Sequence, residues 1–487
     1  MILAWMVCIL LIGGLLSWLV SRWNNQLAKW IALIAVIIDF IIICNLWIQQ
    51  QASVTTESWF INYKVSWIPS FGISFHLALD GLSTVMLLLT FFLGILSVLC
   101  SWNEIKERIG FYFFNLLWTL AGISGVFVAM DLFLFYFFWE VMLVPMYFLI
   151  ALWGDSNRRY ASYKFFIFTQ AGGLLMLLAI LALYIIHGQQ TGNYSYDYFD
   201  LLNTTLDPSA AKWIMMGFLI AFAVKLPVVP LHNWLPDAHS EAPTAGSLIL
   251  AGLLLKTGAY GIIRFVLTLF PQASAEIAWW AMLFGVIGIV YGALLAFAQT
   301  DLKRLIAYTS VSHMGFVLLG IFSFREMAMQ GVVMQMLTHG ISTGALFVLA
   351  GMLKERLHTR DINQMGGLWT SMPAMGGVAI LFTMASLGLP VLGNFIAEFL
   401  ILMSAFSVDS TLTVIASLGL IFSALYSLRM MQKVFLGHPG TTGPLKDFSA
   451  RELIVMAALS ISIIALGLYP QPVMDTVKGF IQQVAMK

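Results

Sequence analysis

Apolar residues in this chain come in long unbroken runs, and the polar residues gather in the short gaps between them. A helix needs about 20 apolar residues to cross the hydrocarbon core of a bilayer. Runs that approach or exceed that length lie near 2–20, 30–48, 80–101, 111–130, 132–152, 163–187, 213–230, 242–268, 277–299, 304–323, 327–353, 373–406, 411–435 and 453–470. The pattern predicts an all-α polytopic membrane protein of about fourteen transmembrane helices. The fourth and fifth runs nearly touch at Asp131, and the twelfth is unusually long. The remaining chain reads as short connections with no soluble domain, and the tail after Tyr469 is too short for another span. Met1 to Val20 is uncharged and lacks a basic leader, so it reads as a retained first span and not a cleaved signal.

Two of the runs are broken by proline. KLPVVPLHNW from Lys225 and GLPVLGNFIAEF from Gly388 each hold Leu-Pro-Val inside a hydrophobic stretch. The spans before them also carry polar residues, FFIFTQAGG around Gln170 and MQMLTHGIS around His339. Paired broken segments point to inverted repeats with a site at the breaks. The division that follows is 1–110 for helices 1–3, 111–268 for a first five-helix repeat, 269–435 for a second, and 436–487 for helix 14 and a short tail. An odd number of spans per repeat gives the two repeats opposite topologies.

Basic residues then orient the chain. With fourteen spans the odd-numbered loops collect sixteen lysines and arginines, and the even loops and both ends collect six. The positive-inside rule makes the odd loops cytoplasmic and predicts both termini on the periplasmic side of a bacterial inner membrane. Composition agrees: 60% of residues are hydrophobic and only 10% charged, against about 25% charged in soluble domains. A formal net charge of +1 gives no attraction for nucleic acid. Cys8, Cys44 and Cys100 sit in apolar runs without CxxC spacing and read as buried packing residues. No Walker loop, dinucleotide fingerprint, zinc or haem-attachment motif is found, so no metal or redox cofactor is predicted in this chain.

The informative residues are the ionisable ones inside spans: Glu140, Lys225, Lys256, His313, His339 and Glu398. A charge at bilayer depth costs on the order of 3 kcal/mol, and such residues mark ion pathways by default. The bland alternative is that each staples two helices through a buried pair, a device with little net stabilisation. Pro227 and Pro230 cannot donate hydrogen bonds, which predicts free carbonyls at Ala223 and Leu226 beside Lys225. Gln335, His339 and Ser342 share one helix face, with Thr338 beside them, and Thr309, Ser312 and His313 form a similar patch. These patches can relay protons through water or simply hydrogen-bond neighbouring helices. A haem held by His313 and His339 is a further possibility. The polar segment HNWLPDAHSEAP, with His232, reads as a loop shaping an access funnel or touching a neighbour. Asp131 reads as a helix cap or a channel mouth. Pro227, Pro230 and Pro390 support the breaks, and Gly252, Gly258 and Gly261 read as close-packing residues.

These strings resemble a known family. FYFFWE, KLPVVPLHNWLPDAHSEAP, LLKTGAYG, DLKRLIAYTSVSHMG and GNFIAEF look like the antiporter-like membrane subunits of respiratory complex I, relatives of Mrp cation/proton antiporter and membrane-bound hydrogenase subunits. The likeness covers nearly the whole chain. Within the family, glutamate at Glu398 where other members carry lysine, and a chain ending soon after its last span, resemble the subunit M (chain 4) group. The resemblance implies a proton-translocating membrane-arm subunit of a proton-pumping NADH:quinone oxidoreductase. It implies a Glu140–Lys225 ion pair in an input half-channel and Lys256 as central relay. His313 and His339 would be the connection and Glu398 the output group. It further implies FMN, iron–sulfur clusters and quinone in other subunits, and neighbouring subunits L and N as partners. The rival readings are an Mrp-type sodium/proton antiporter subunit, a hydrogenase-type antiporter-like subunit or scaffold, and a haem-bearing redox subunit.

Overall fold

The computed structural model describes residues 1–52, 59–437 and 445–485. Thirteen helices among the described residues are long and apolar enough to cross a membrane. The predicted twelfth span is built differently, from two shorter helices, Pro373–Ser386 and Gly393–Phe406, that flank a break. The seventh is also divided: Pro208–Lys225 ends at the lysine, and the chain resumes as Trp234–Glu241 after a turn. The predicted helix at 213–230 therefore stops five residues early, because neither Pro227 nor Pro230 can donate the next helical hydrogen bond.

Scarce acidic residues mark helix starts. Asp80, Asp131, Asp207, Asp301 and Asp409 each accept a backbone N–H from the first turn that follows. This satisfies donors that have no helical partner and opposes the helix dipole. Burial then sorts the helices into layers. The apolar stretch of Thr244–Leu269 is 100% covered and that of Glu326–Leu357 is 94% covered, whereas that of Ala450–Leu468 is only 28% covered. A helix apolar on every side and wholly covered belongs at the core of a bundle. Lys256 and His339 thus sit on the two innermost helices.

Two elements outside the spans depart from the sequence reading. Residues 59–80 form an antiparallel hairpin, β1 (Trp59–Ile68) and β2 (Ile73–Asp80), where short connections were expected. The alternation Ile73, Phe75, Leu77, Leu79 has the period of a strand, but hydropathy averaged over a span-length window hides it. The tail forms a helix, Gln471–Ala485, that buries Val477, Phe480 and Ile481. Phe480 covers the Arg264 guanidinium at 4.4 Å, and Arg264 pairs with Asp80 at 2.5 Å, both 1% exposed. Hairpin, tail and core are joined at that pair. Cys8, Cys44 and Cys100 are unpaired and only partly covered, not fully buried as expected.

The loops gather into two ion-paired faces. On one, Arg360 contacts Asp155 at 3.0 Å, Glu241 at 3.2 Å and Asp301 at 3.0 Å, tying loops of both repeats together. The other face holds the hairpin, Asp131 and the segment around Asp197. Lys487, counted on that face, lies outside the described residues. Asp197 accepts from Lys64 at 2.7 Å and contacts His76 Nδ1 at 2.6 Å, and the second nitrogen of His76 faces Asn62 Oδ1 at 2.7 Å. Burial works to raise the Asp197 pKa, but His76 and Lys64 outweigh it and hold the carboxyl below the usual carboxylate value of 3.8. A lowered folded pKa contributes stability that is fully present above the unfolded value and is lost as pH falls through the folded one. Asp197→Asn is therefore expected to speed hydrogen exchange of the hairpin amides at pH 7. Its difference from wild type should shrink as pH falls below about 4. An unchanged difference at pH 3 would refute this.

Candidate functional site

The core helix Thr244–Leu269 is locally over-wide. It runs through π-helical turns at Leu250–Leu254 and Ile262–Val266 on either side of Lys256. π turns shift the backbone hydrogen bonds by one residue and are frequent at functional sites. Here Lys256 Nζ folds back onto the Ala251 carbonyl at 2.5 Å and reaches His339 Nδ1 at 2.7 Å. The two helices meet through backbone: a Cβ on Gly340 would lie 3.0 Å from the Gly252 carbonyl oxygen. Larger residues there would push the helices apart and separate Lys256 from His339.

The contact continues across the bundle. The His339 ring lies 5.6 Å, centroid to centroid, from that of His313, on the neighbouring helix Leu302–Ile321. His313 Nδ1 is 3.0 Å from Glu398 Oε1, and the Gln335 amide donates to the same oxygen at 3.3 Å. His313 Nε2 faces Ser386 Oγ at 3.3 Å, at the end of the half-helix before the second break. Glu398 itself points back to that break. A Cβ on Gly388, whose φ is +77°, would fall 3.0 Å from Glu398 Oε2, so the position favours glycine for both reasons. Four of the predicted residues, Lys256, His339, His313 and Glu398, thus form one buried series.

The other two do not close as implied. Lys225 is fully buried, yet its Nζ has no hydrogen-bond partner and lies 5.3 Å from the ring centres of both Trp139 and Phe165. Glu140 takes the Gln170 amide at 3.4 Å and Tyr136 instead, and no Glu140–Lys225 ion pair forms. Glu140 also lines an apolar recess of about 350 Å³ with Phe111, Phe114, Val144 and Phe148. The two breaks also use their charges differently. Lys225 ends the half-helix before the first, whereas Glu398 lies in the half-helix after the second.

Several other expectations change. The Ala223 carbonyl is not free, because it accepts from Val228 N at 2.9 Å. The carbonyl taken by an outside donor is that of Val224, from the Trp234 indole at 2.9 Å. Trp234–Glu241 is a buried helix, not a loop, and its Asp237 bridges Lys164 at 2.6 Å and Arg304 at 2.9 Å. His232 is buried, its ring edge-on to Tyr291 at 5.6 Å. Asp131 is a cap: one oxygen accepts from Phe133 and Leu134, the other from the Ser74 N–H and hydroxyl. Thr309 and Ser312 bond to the carbonyls of Ile306 and Ile289, the bland role. Ser342 accepts from Asn394 at 3.2 Å. Both nitrogens of His313 face protein partners, so the two histidines are not arranged as ligands of one haem iron. Ser386, Asn394 and Tyr426, whose hydroxyl is 3.5 Å from His313 Nε2, join the site without any ionisable signal in the sequence.

The chain is similar to known proteins over nearly its whole length. The family model described as NADH:quinone oxidoreductase/Mrp antiporter, TM, matches residues 129–423. NADH-quinone oxidoreductase subunit M of Pseudomonas aeruginosa is 54% identical over 98% of this chain and 96% of its own length. Its counterpart in Escherichia coli is 52% identical over the same shares. A chain in the structure of respiratory complex I from Thermus thermophilus with bound NADH superposes with a TM-score of 0.87 at 29% identity, covering 99% of both chains.

Proposed function

Because this chain belongs to the NADH:quinone oxidoreductase/Mrp antiporter membrane family, in its NADH-quinone oxidoreductase subunit M group, we propose that it moves protons through Lys256, His339, His313 and Glu398. The observation that carries this reading is the buried run of contacts from Lys256 to Glu398 across the core of the bundle. Lysine, imidazole and carboxylate can each bind and release a proton, and their placement in series away from water suits transfer. Redox chemistry and its cofactors belong, in this reading, to other subunits of the complex. L- and N-type antiporter-like subunits are the neighbours. The face rich in lysine and arginine is cytoplasmic, with both termini periplasmic in a bacterial inner membrane.

Glu140 and Lys225 act as the controlling pair. They stand open in this structure, with Lys225 between aromatic rings. Their approach would hold the proton on Lys225 and alter the field at Lys256. Moving one proton against 100 mV takes about 2.3 kcal/mol, which equals a change in proton affinity of under about two pH units. Making or breaking one buried pair supplies energy of that order. Lys225→Ala should therefore abolish NADH-driven pumping in membrane vesicles while the complex still assembles. Unchanged protons per electron in that variant would defeat the proposal. Sodium-dependent exchange without NADH would instead favour the antiporter reading.

A further inference from the structure

A gap remains inside the buried series. His339 meets Lys256 through Nδ1, and its Nε2 is buried without a partner. The nitrogens of His313 are turned elsewhere, Nδ1 to Glu398 and Gln335, and Nε2 to Ser386 and Tyr426. The two rings stand edge to face at 5.6 Å between centroids, a packing contact that carries no proton.

Two amides flank His339 along one helix seam. Glu326–Leu357 packs closely against the half-helix Gly393–Phe406. A Cβ on Gly331 would lie 2.8 Å from the Ala397 carbonyl oxygen, and one on Gly393 would lie 2.5 Å from Thr338 Cγ2. Gln335 precedes His339 by one helical turn on the same face. Its amide N–H donates to Glu398 Oε1 at 3.3 Å, while its own Oε1 is buried without a partner. One turn past His339, Ser342 accepts from Asn394 Nδ2 at 3.2 Å, and Asn394 Oδ1 is likewise buried without a partner. Gln335, His339 and Asn394 are each 0% exposed.

Donor counting decides what fits there. A lysine ammonium offers three hydrogens and no lone pair, so His339 Nδ1 accepts and the ring hydrogen sits on Nε2. The seam therefore presents one donor, His339 Nε2–H, and two acceptors, the amide oxygens. One water satisfies all three, accepting from the imidazole and donating to each amide. About three hydrogen bonds are usual for a buried water, and buried polar atoms in native proteins are nearly always satisfied.

We propose that Gln335 and Asn394 are positioning residues that hold one ordered water on His339 Nε2, and that this water carries the proton from His339 to the His313–Glu398 pair. His339 takes a proton from the Lys256 ammonium at Nδ1 and gives its Nε2 hydrogen to the water. The water gives one of its own hydrogens to the pair. Lys256 ends neutral, His339 ends as its other tautomer, and the pair holds one proton more. Gln335 serves both sides of the gap, its carbonyl on the water and its N–H on Glu398 Oε1. The inference rests on the reading of Lys256 as a proton carrier.

The test uses the whole complex in inside-out membrane vesicles and reads NADH-driven pumping in H2O and in D2O. Gln335→Met keeps the side chain's length and removes both amide functions. It is expected to lower pumping about a hundredfold, the loss that follows when a reacting group is misplaced by about 1 Å. The H2O-to-D2O ratio is expected to rise above that of wild type, because transfer across the gap becomes the slowest step. Gln335→Asn keeps a shorter amide and is expected to fall between the two. Asn394→Leu tests the second amide independently, with the same raised ratio expected. Full pumping in Gln335→Met with none in Lys256→Met overturns the water site and leaves the relay standing. Lost pumping at a wild-type ratio, in Gln335→Met or in Asn394→Leu, marks a packing role and also overturns it. Full pumping in Lys256→Met removes the underlying reading, and the water site with it.

Discussion

Replacing Lys256 by methionine is expected to abolish proton pumping while the complex still assembles. Methionine fills a similar apolar volume, so the wholly covered helix Thr244–Leu269 keeps its packing. What is lost is the donor to the Ala251 carbonyl and to His339 Nδ1. Leaving the buried His339 nitrogen unpaired costs about 1–3 kcal/mol, within a folding stability of about 5–15 kcal/mol. Proton transfer has no such reserve, because no other titratable group contacts His339 at hydrogen-bond distance among the described residues. Lys256→Arg separates charge from proton exchange. Arginine keeps the cation but does not release its proton in proteins. Loss of pumping in both variants marks a proton carrier. Normal pumping in Lys256→Arg would show that only a fixed positive charge is needed there.

The sequence shows its spans and breaks because bilayer length and proline act locally. Fourteen apolar runs and the Leu-Pro-Val interruptions can be read without knowing what packs where, and Lys256, His313, His339 and Glu398 stand out because charge is so rare among them. What is hidden depends on approach between distant segments. Nothing in the strings around Glu140 and Lys225 says whether those side chains touch, and here Trp139 and Phe165 stand beside the lysine. The π turns at Leu250–Leu254 and Ile262–Val266 leave no composition signal, yet they set where Lys256 reaches. His239 lies in a polar string that reads as a loop, and only the packing of Trp234–Glu241 buries it. The hairpin is a milder case: its alternation is present but falls between spans, where a hydropathy reading is not looking for strands.

Glu398→Gln should have an effect as large as Lys256→Met, from the opposite end of the series. Glutamine matches the carboxylate in shape, so its carbonyl still accepts from the Gln335 amide and faces His313 Nδ1. Its amide nitrogen takes the place of the oxygen that points at Gly388, where no Cβ intrudes. The fold has little reason to move, and the one property removed is the ability to take and release a proton. Transfer out of His313 is then expected to fall by about a hundredfold or more, read as lost pumping at unchanged subunit content. Glu398→Asp gives the graded control, since it keeps the acid but withdraws it by one methylene from a contact now at 3.0 Å. Pumping in the order wild type, aspartate, glutamine assigns the role to the proton. Equal loss in aspartate and glutamine variants assigns it to geometry at the Gly388 break, and unaltered pumping in Glu398→Gln places the exit elsewhere.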